Sequence, residues 1–72
     1  MSVSYDPLWK TLIDMKVKRY ELIKLANISA NVIAKMGKNE YVSLQSIERV
    51  CAALGCRIED VVEIIDGEVA DD

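Results

Sequence analysis

Asn31 and Lys35 stand four residues apart, and Ala30 and Ala34 keep the same spacing beside them. In a helix that spacing is about one turn, so the four side chains share one side of its surface. The Asn carboxamide carries a donor and an acceptor next to each other and can pair bidentately with the major-groove edge of an adenine. A Lys ammonium can donate to O6 or N7 of a guanine, and an alanine can touch a thymine methyl. The bland counterpart is an ordinary solvated helix face. What separates the two readings is how the helix is mounted.

The mounting is written in the residues just before it. Asn27 falls where one helix must stop, because Asn tolerates the left-handed backbone that follows a helix C-terminus. Ser29 falls where the next must start, because its hydroxyl oxygen can accept a free backbone N–H. Ile28 precedes that cap and Ile33 lies four residues beyond it, the positions of a hydrophobic staple that fixes the angle of entry. Ile33 is therefore expected to point back against Leu22 and Ile28. Two short helices joined by so tight a turn form a helix–turn–helix, a device that can hold its second helix in a DNA major groove.

The charges are segregated along the chain. Residues 10–38 hold seven bases (Lys10, Lys16, Lys18, Arg19, Lys24, Lys35, Lys38) against two acids, Asp14 and Glu21. Residues 39–72 hold two bases, Arg49 and Arg57, against nine acids. The overall net charge of −3 would argue against a polyanionic partner, but this polarity fits a basic face toward phosphates and an acidic face turned away.

Seventy-two residues suffice for one domain, and 51% hydrophobic residues suffice for one core. Asp6-Pro7 reads as a helix start, with Asp as cap and Pro at the first helical position. A first helix is expected over about residues 7–16, with Leu8 and Leu12 in one stripe and Trp9 serving as a core or dimer anchor. The second is expected over 19–26, with Leu22, Leu25 and Ala26 facing inward, and the third over 30–36. Gly37 to Glu40 breaks the pattern and reads as a loop. Val42 and Ser43 repeat the staple and cap before a fourth helix carrying Leu44, Ile47, Val50, Cys51 and Leu54, which Gly55 ends. The β-branched run Val61 to Ile65 fits a strand as well as a helix. The acids Glu59 and Asp60 suit a helical first turn and favour a fifth helix over 59–65, ended by Gly67. An acidic tail over 67–72 is expected to fray. Ile64 and Ile65 would need cover, so a two-fold homodimer through the last helix and the N-terminal segment is expected.

Catalysis finds no support in the composition. There is no histidine, no Ser or Cys paired with a base, no glycine-rich phosphate loop and no cluster of metal ligands, so neither metal nor cofactor is expected. Cys51 and Cys56 are too few for a disulfide framework and read as small reduced core residues. No apolar run approaches the roughly 18 residues of a membrane span, and residues 1–6 lack a signal-peptide pattern, so a cytoplasmic protein is expected.

Taken together, Glu21-Leu22, Ala26-Asn27-Ile28-Ser29, Ile33, and Ala53-Leu54-Gly55 followed by Glu59-Asp60-Val61 resemble the phage-repressor family of Cro/cI or XRE type. The opening Tyr5-Asp6-Pro7-Leu8-Trp9-Lys10-Thr11-Leu12 and the run Ala34 to Glu40 resemble a compact bacterial subgroup of it. The resemblance covers about residues 4–66 and implies an all-α, five-helix, λ-repressor-like domain with the helix–turn–helix at helices two and three. It implies a sequence-specific regulator of transcription, most plainly a repressor, bound as a homodimer to a palindromic operator in double-stranded DNA. Carried over by position, Ala30, Asn31, Ala34 and Lys35 would read bases, while Lys18, Arg19, Ser29, Lys38 and Asn39 would meet phosphates. Asn27 replaces the usual turn glycine, Arg19 a common glutamine, and Ala30 a common long polar residue. The alternative from another class is a protein-interaction module, an antitoxin or adaptor, that uses the helix–turn–helix only as a scaffold.

Overall fold

A computed structural model describes residues 2–65, and the elements follow the order β1 (Ser2–Ser4), α1 (Asp6–Met15), α2 (Arg19–Ala26), α3 (Ala30–Gly37), α4 (Leu44–Leu54), a 3₁₀ turn (Ile58–Asp60) and β2 (Glu63–Ile65). The expected stop at Gly67 and the tail over 67–72 lie outside the described residues. Four helices thus stand where five were expected, and a small antiparallel sheet joins the two ends of the described chain.

The helices start and stop for local reasons. Pro7 lies in the first turn of α1, but Asp6 is already inside the helix rather than its cap. The cap position is Tyr5, and the Asp6 N–H donates instead to the Ser4 hydroxyl at 3.2 Å. Lys16 ends α1 in a left-handed conformation, φ 59°. At the start of α2 the Glu21 carboxylate reaches back three residues and accepts the Lys18 N–H at 2.8 Å. Lysine has no acceptor to return the bond, so this is one half of a capping box. Ser29 and Ser43 cap α3 and α4 through side-chain oxygens that accept from Val32 at 3.3 Å and Ser46 at 3.1 Å. Gly55 closes α4 with φ 64°, where a Cβ would be strained.

One core serves all of these elements. Leu8 and Leu12 of α1, Leu22 and Ala26 of α2, Ile28 of the turn, Ile33 and Met36 of α3, and Ile47, Val50 and Leu54 of α4 are buried together with Val3, Tyr5 and Val61. α2 packs on α4, and α3 packs on α2. Two expected core residues lie outside it: Leu25 is 57% exposed and Leu44 72%. On α2, Leu22, Ile23 and Ala26 centre the buried face, and Leu25 falls on its outer flank. Leu44 is the first residue of α4 and precedes the turn that meets the core.

The fifth helix is replaced by a single 3₁₀ turn and a strand. Asp60 accepts the Arg57 N–H at 3.1 Å, so the acids do organise a helical turn, but it lasts only three residues. Val61, Val62, Ile64 and Ile65 lose rotamer freedom in a helix, and an extended partner is available. That partner is β1, with Ser2 opposite Ile65, Val3 opposite Ile64 and Ser4 opposite Glu63. The turn is tied to α1 by the Thr11 hydroxyl, which donates to the Asp60 carbonyl at 3.0 Å. Cys51 and Cys56 are free and half-buried; burial pushes both thiols up, so they stay protonated at neutral pH.

The shared core makes α3 dependent on its inward anchors, because an isolated eight-residue helix is marginal in water. Ile33→Ala is expected to cost about 2–5 kcal/mol through lost burial and the cavity left behind. A denaturant titration measures this, and an unchanged midpoint would refute the placement of Ile33.

Candidate DNA-binding site

The site is built on the turn between α2 and α3. Asn27 holds φ 55° and ψ 49°, a left-handed conformation that few residues other than Gly adopt cheaply. The Ile28 N–H donates back to the Ile23 carbonyl at 3.2 Å, which closes the end of α2. The Arg49 guanidinium of α4 donates to the Asn27 carbonyl at 3.1 Å and braces the turn from outside. Ile28 and Ile33, the expected staple, are both buried in the common core. The exit angle of α3 is therefore set at three points: the left-handed residue, the staple and the brace.

With Ile33 and Met36 turned inward, α3 exposes Ala30, Asn31, Ala34 and Lys35 on its outer side. These are the four residues expected to read bases, and they form one surface over a helix about 12 Å long. Ser29 lies exposed at its start. Its oxygen accepts the capping bond from Val32, so its own proton remains available to an outside acceptor. Lys38 lies exposed at the other end. Lys18 and Arg19 are exposed at the start of α2, and the Arg19 guanidinium carbon lies 3.8 Å from the centroid of the Trp9 ring. Trp9 is half-buried against the core, in keeping with one of its two expected roles.

Asn39 has a second task. It holds φ 56° beyond the end of α3, and its carboxamide oxygen accepts the Tyr5 N–H at 3.2 Å. The Tyr5 hydroxyl donates to the neighbouring Glu40 carbonyl at 2.8 Å. The backbone closes the same loop on the helix, with the Lys38 and Glu40 N–H groups donating to the Lys35 carbonyl at 3.0 and 2.9 Å. Sequence reasoning missed Tyr5 and Arg49 as supports. Their partners lie 34 and 22 residues away, and no local spacing signals such contacts.

Among the described residues no group of three metal-ligating side chains occurs, and no helix is long and apolar enough to cross a membrane. The surface offers hydrogen-bond donors, small residues and positive charge on a mounted helix, which is chemistry for recognition of a polyanion.

The model of the Cro/C1-type helix–turn–helix DNA-binding domain matches residues 7–67, and the chain belongs to that family. Its members act by binding DNA and not by catalysis. The crystal structure of the transcriptional regulator VanUg is similar to this chain, with a TM-score of 0.82 and 44% identity over 86% of this chain and 83% of that one. No curated protein matches. The protein is thus a helix–turn–helix DNA-binding domain that resembles a transcriptional regulator.

The Tyr5 strap carries a pH signature. Burial raises the Tyr5 phenol above its ordinary value, partly opposed by a backbone hydrogen bond from Val42. The unfolded chain releases this proton near about pH 10, before the folded chain does. The stabilising contribution is complete below that pH and is lost as pH rises through the higher folded value. Tyr5→Phe should be less stable than wild type by about 0.5–1.5 kcal/mol at neutral pH. In urea melts the gap should narrow above about pH 10; a constant gap would contradict the strap.

Proposed function

We propose that this protein is a sequence-specific regulator of transcription that reads the major groove of double-stranded DNA with α3. The observation that carries the reading is the outward face of that helix. Its four exposed side chains are mounted on a turn that the chain holds by a left-handed residue, a staple and an arginine brace. Asn31 and Lys35 would supply base-edge hydrogen bonds, and Ala30 and Ala34 would let the helix come close. Lys18, Arg19, Ser29, Lys38 and Asn39 would meet phosphates and fix the register without reading sequence. For Asn39 that leaves the carboxamide NH₂, since its oxygen is engaged by Tyr5. The VanUg resemblance supports the regulatory role. Repression is the simplest outcome, because occupancy of a promoter is enough to block access. Such a protein works where the DNA is, in the cytoplasm.

One domain of this size reads only a few base pairs, so we take the working unit to be a homodimer on a palindromic operator. The surface that supports this is the outer part of β2, where Ile64 is 62% exposed and Ile65 41%. β1, the N-terminal partner strand, lies beside it, so both segments expected at the interface belong to one sheet. Two-fold pairing there would set the α3 helices about 34–36 Å apart. Light scattering should report a dimer at high concentration, and a monomer both on and off DNA would remove this part of the reading.

Selection of bound sequences from random duplexes should return a site with two half-sites. On that site Asn31→Ala is expected to weaken binding by about 1–3 kcal/mol and to relax preference at one or two base pairs. On a scrambled duplex it should change little. An unchanged ratio of the two affinities would mean that this face reads no bases, and absence of salt-dependent duplex binding would favour a protein-interaction module instead.

A further inference from the structure

Arg19 is an exposed cation without a carboxylate within ion-pair distance among the described residues, yet its side chain is closely held. The guanidinium lies on the Trp9 ring of α1 at 3.8 Å from the centroid. One of its terminal nitrogens also reaches Gly37, the last residue of α3, where an added Cβ would lie 3.4 Å from it. Gly37 is not among the residues with positive φ, so its backbone does not require glycine. An added Cβ would stand in ordinary contact with that nitrogen, whereas a longer side chain would take the place of the guanidinium. Trp9, Arg19 and Gly37 come from three different helices and meet at the C-terminal end of α3.

We propose that Trp9 and Gly37 form a seat that presets Arg19 for a phosphate oxygen of duplex DNA beside the end of α3, which makes Trp9 a positioning residue for DNA binding. The inference rests on the reading of α3 as the groove-facing helix. The physical argument concerns the two sides of a guanidinium. Stacking on an aromatic ring uses its face, while a phosphate is recognised by the N–H groups along its edge. Both contacts can therefore hold at once. A free arginine loses much of its rotamer freedom when it clamps a phosphate; an arginine already seated loses less, and affinity rises without any added charge. The carbonyl end of α3 carries partial negative charge, which also favours a cation there.

Trp9 is the one tryptophan of the chain, so its emission reports on the seat directly. Without DNA, Arg19→Ala should shift that emission to the red as the ring loses its cover. Binding to a random-sequence duplex is then followed across a salt series for wild type, Trp9→Leu, Arg19→Ala and the double variant, each checked by thermal melting. Arg19→Ala should reduce the salt slope by about one. Trp9→Leu should weaken binding about three- to tenfold with the slope unchanged, because the charge remains. The double variant should bind no more weakly than Arg19→Ala alone. If Trp9→Leu does not fold, Gly37→Leu replaces it, which leaves the ring in place and fills the space of the guanidinium; the same loss at unchanged slope is expected. A loss on Trp9→Leu or Gly37→Leu of equal size with and without Arg19 would overturn the inference while leaving DNA binding intact. An emission spectrum indifferent to Arg19→Ala would overturn the seat. Wild-type protein that binds no duplex even at low salt would overturn both this inference and the function proposed above.

Discussion

The left-handed turn at Asn27 is the constraint on which the rest of the molecule depends. An L-residue there is disfavoured by roughly 1–2 kcal/mol, less for Asn because its short polar side chain suits the conformation. The chain holds it through contacts made by other elements. Ile28 anchors one side in the core, and α4 reaches across with Arg49 to the Asn27 carbonyl. α4 therefore packs beneath the helix–turn–helix and also holds its bend. If Asn27 relaxed, Ile28 and Ile33 could not both remain buried, and α3 would leave the surface at another angle.

The same economy governs α3. Eight residues do not sustain a helix alone, so this one is defined by its attachments: the Ser29 cap at the start, Ile33 and Met36 beneath, and the loop bonds to Lys35 at the end. Every inward position is taken by the core. The outward positions carry no structural duty and are open to variation without loss of the fold. Support and recognition are thereby divided between opposite sides of one short helix. Charge is divided along the chain instead, with bases gathered over residues 10–38 and acids beyond them.

Much of this was legible in the residues, for physical reasons. Caps and left-handed stops depend on single residue types, so Asn27, Ser29, Ser43 and Gly55 announced their roles, and the second, third and fourth helices stand where spacing put them. The last segment was less legible. Asp60 does cap a turn, but whether the next residues continue as a helix or extend as a strand is decided by a partner at the other end of the described residues. β1 has only three residues, too few for alternation to be read. Long-range supports, Tyr5 on the loop after α3, Arg49 on the turn and Trp9 beneath Arg19, leave no periodic trace. The reading of individual surface side chains comes from residue chemistry, which sequence and structure carry equally.

The small sheet also orders events in time. Its register brings Ser2 to Ile65, so closing it spans nearly the whole described chain, whereas the contacts of α2 with α3 span a few residues. Loop-closure entropy grows with the length enclosed, and local contacts form first. On a ribosome, the helix–turn–helix emerges and can take shape while β2 has yet to be synthesised. β1, made before the four helices, must wait for β2, made after them, before it can pair. Pairing of β1 with β2 thus comes after the helices between them, and β1 leads directly into Tyr5, whose strap holds the loop after α3.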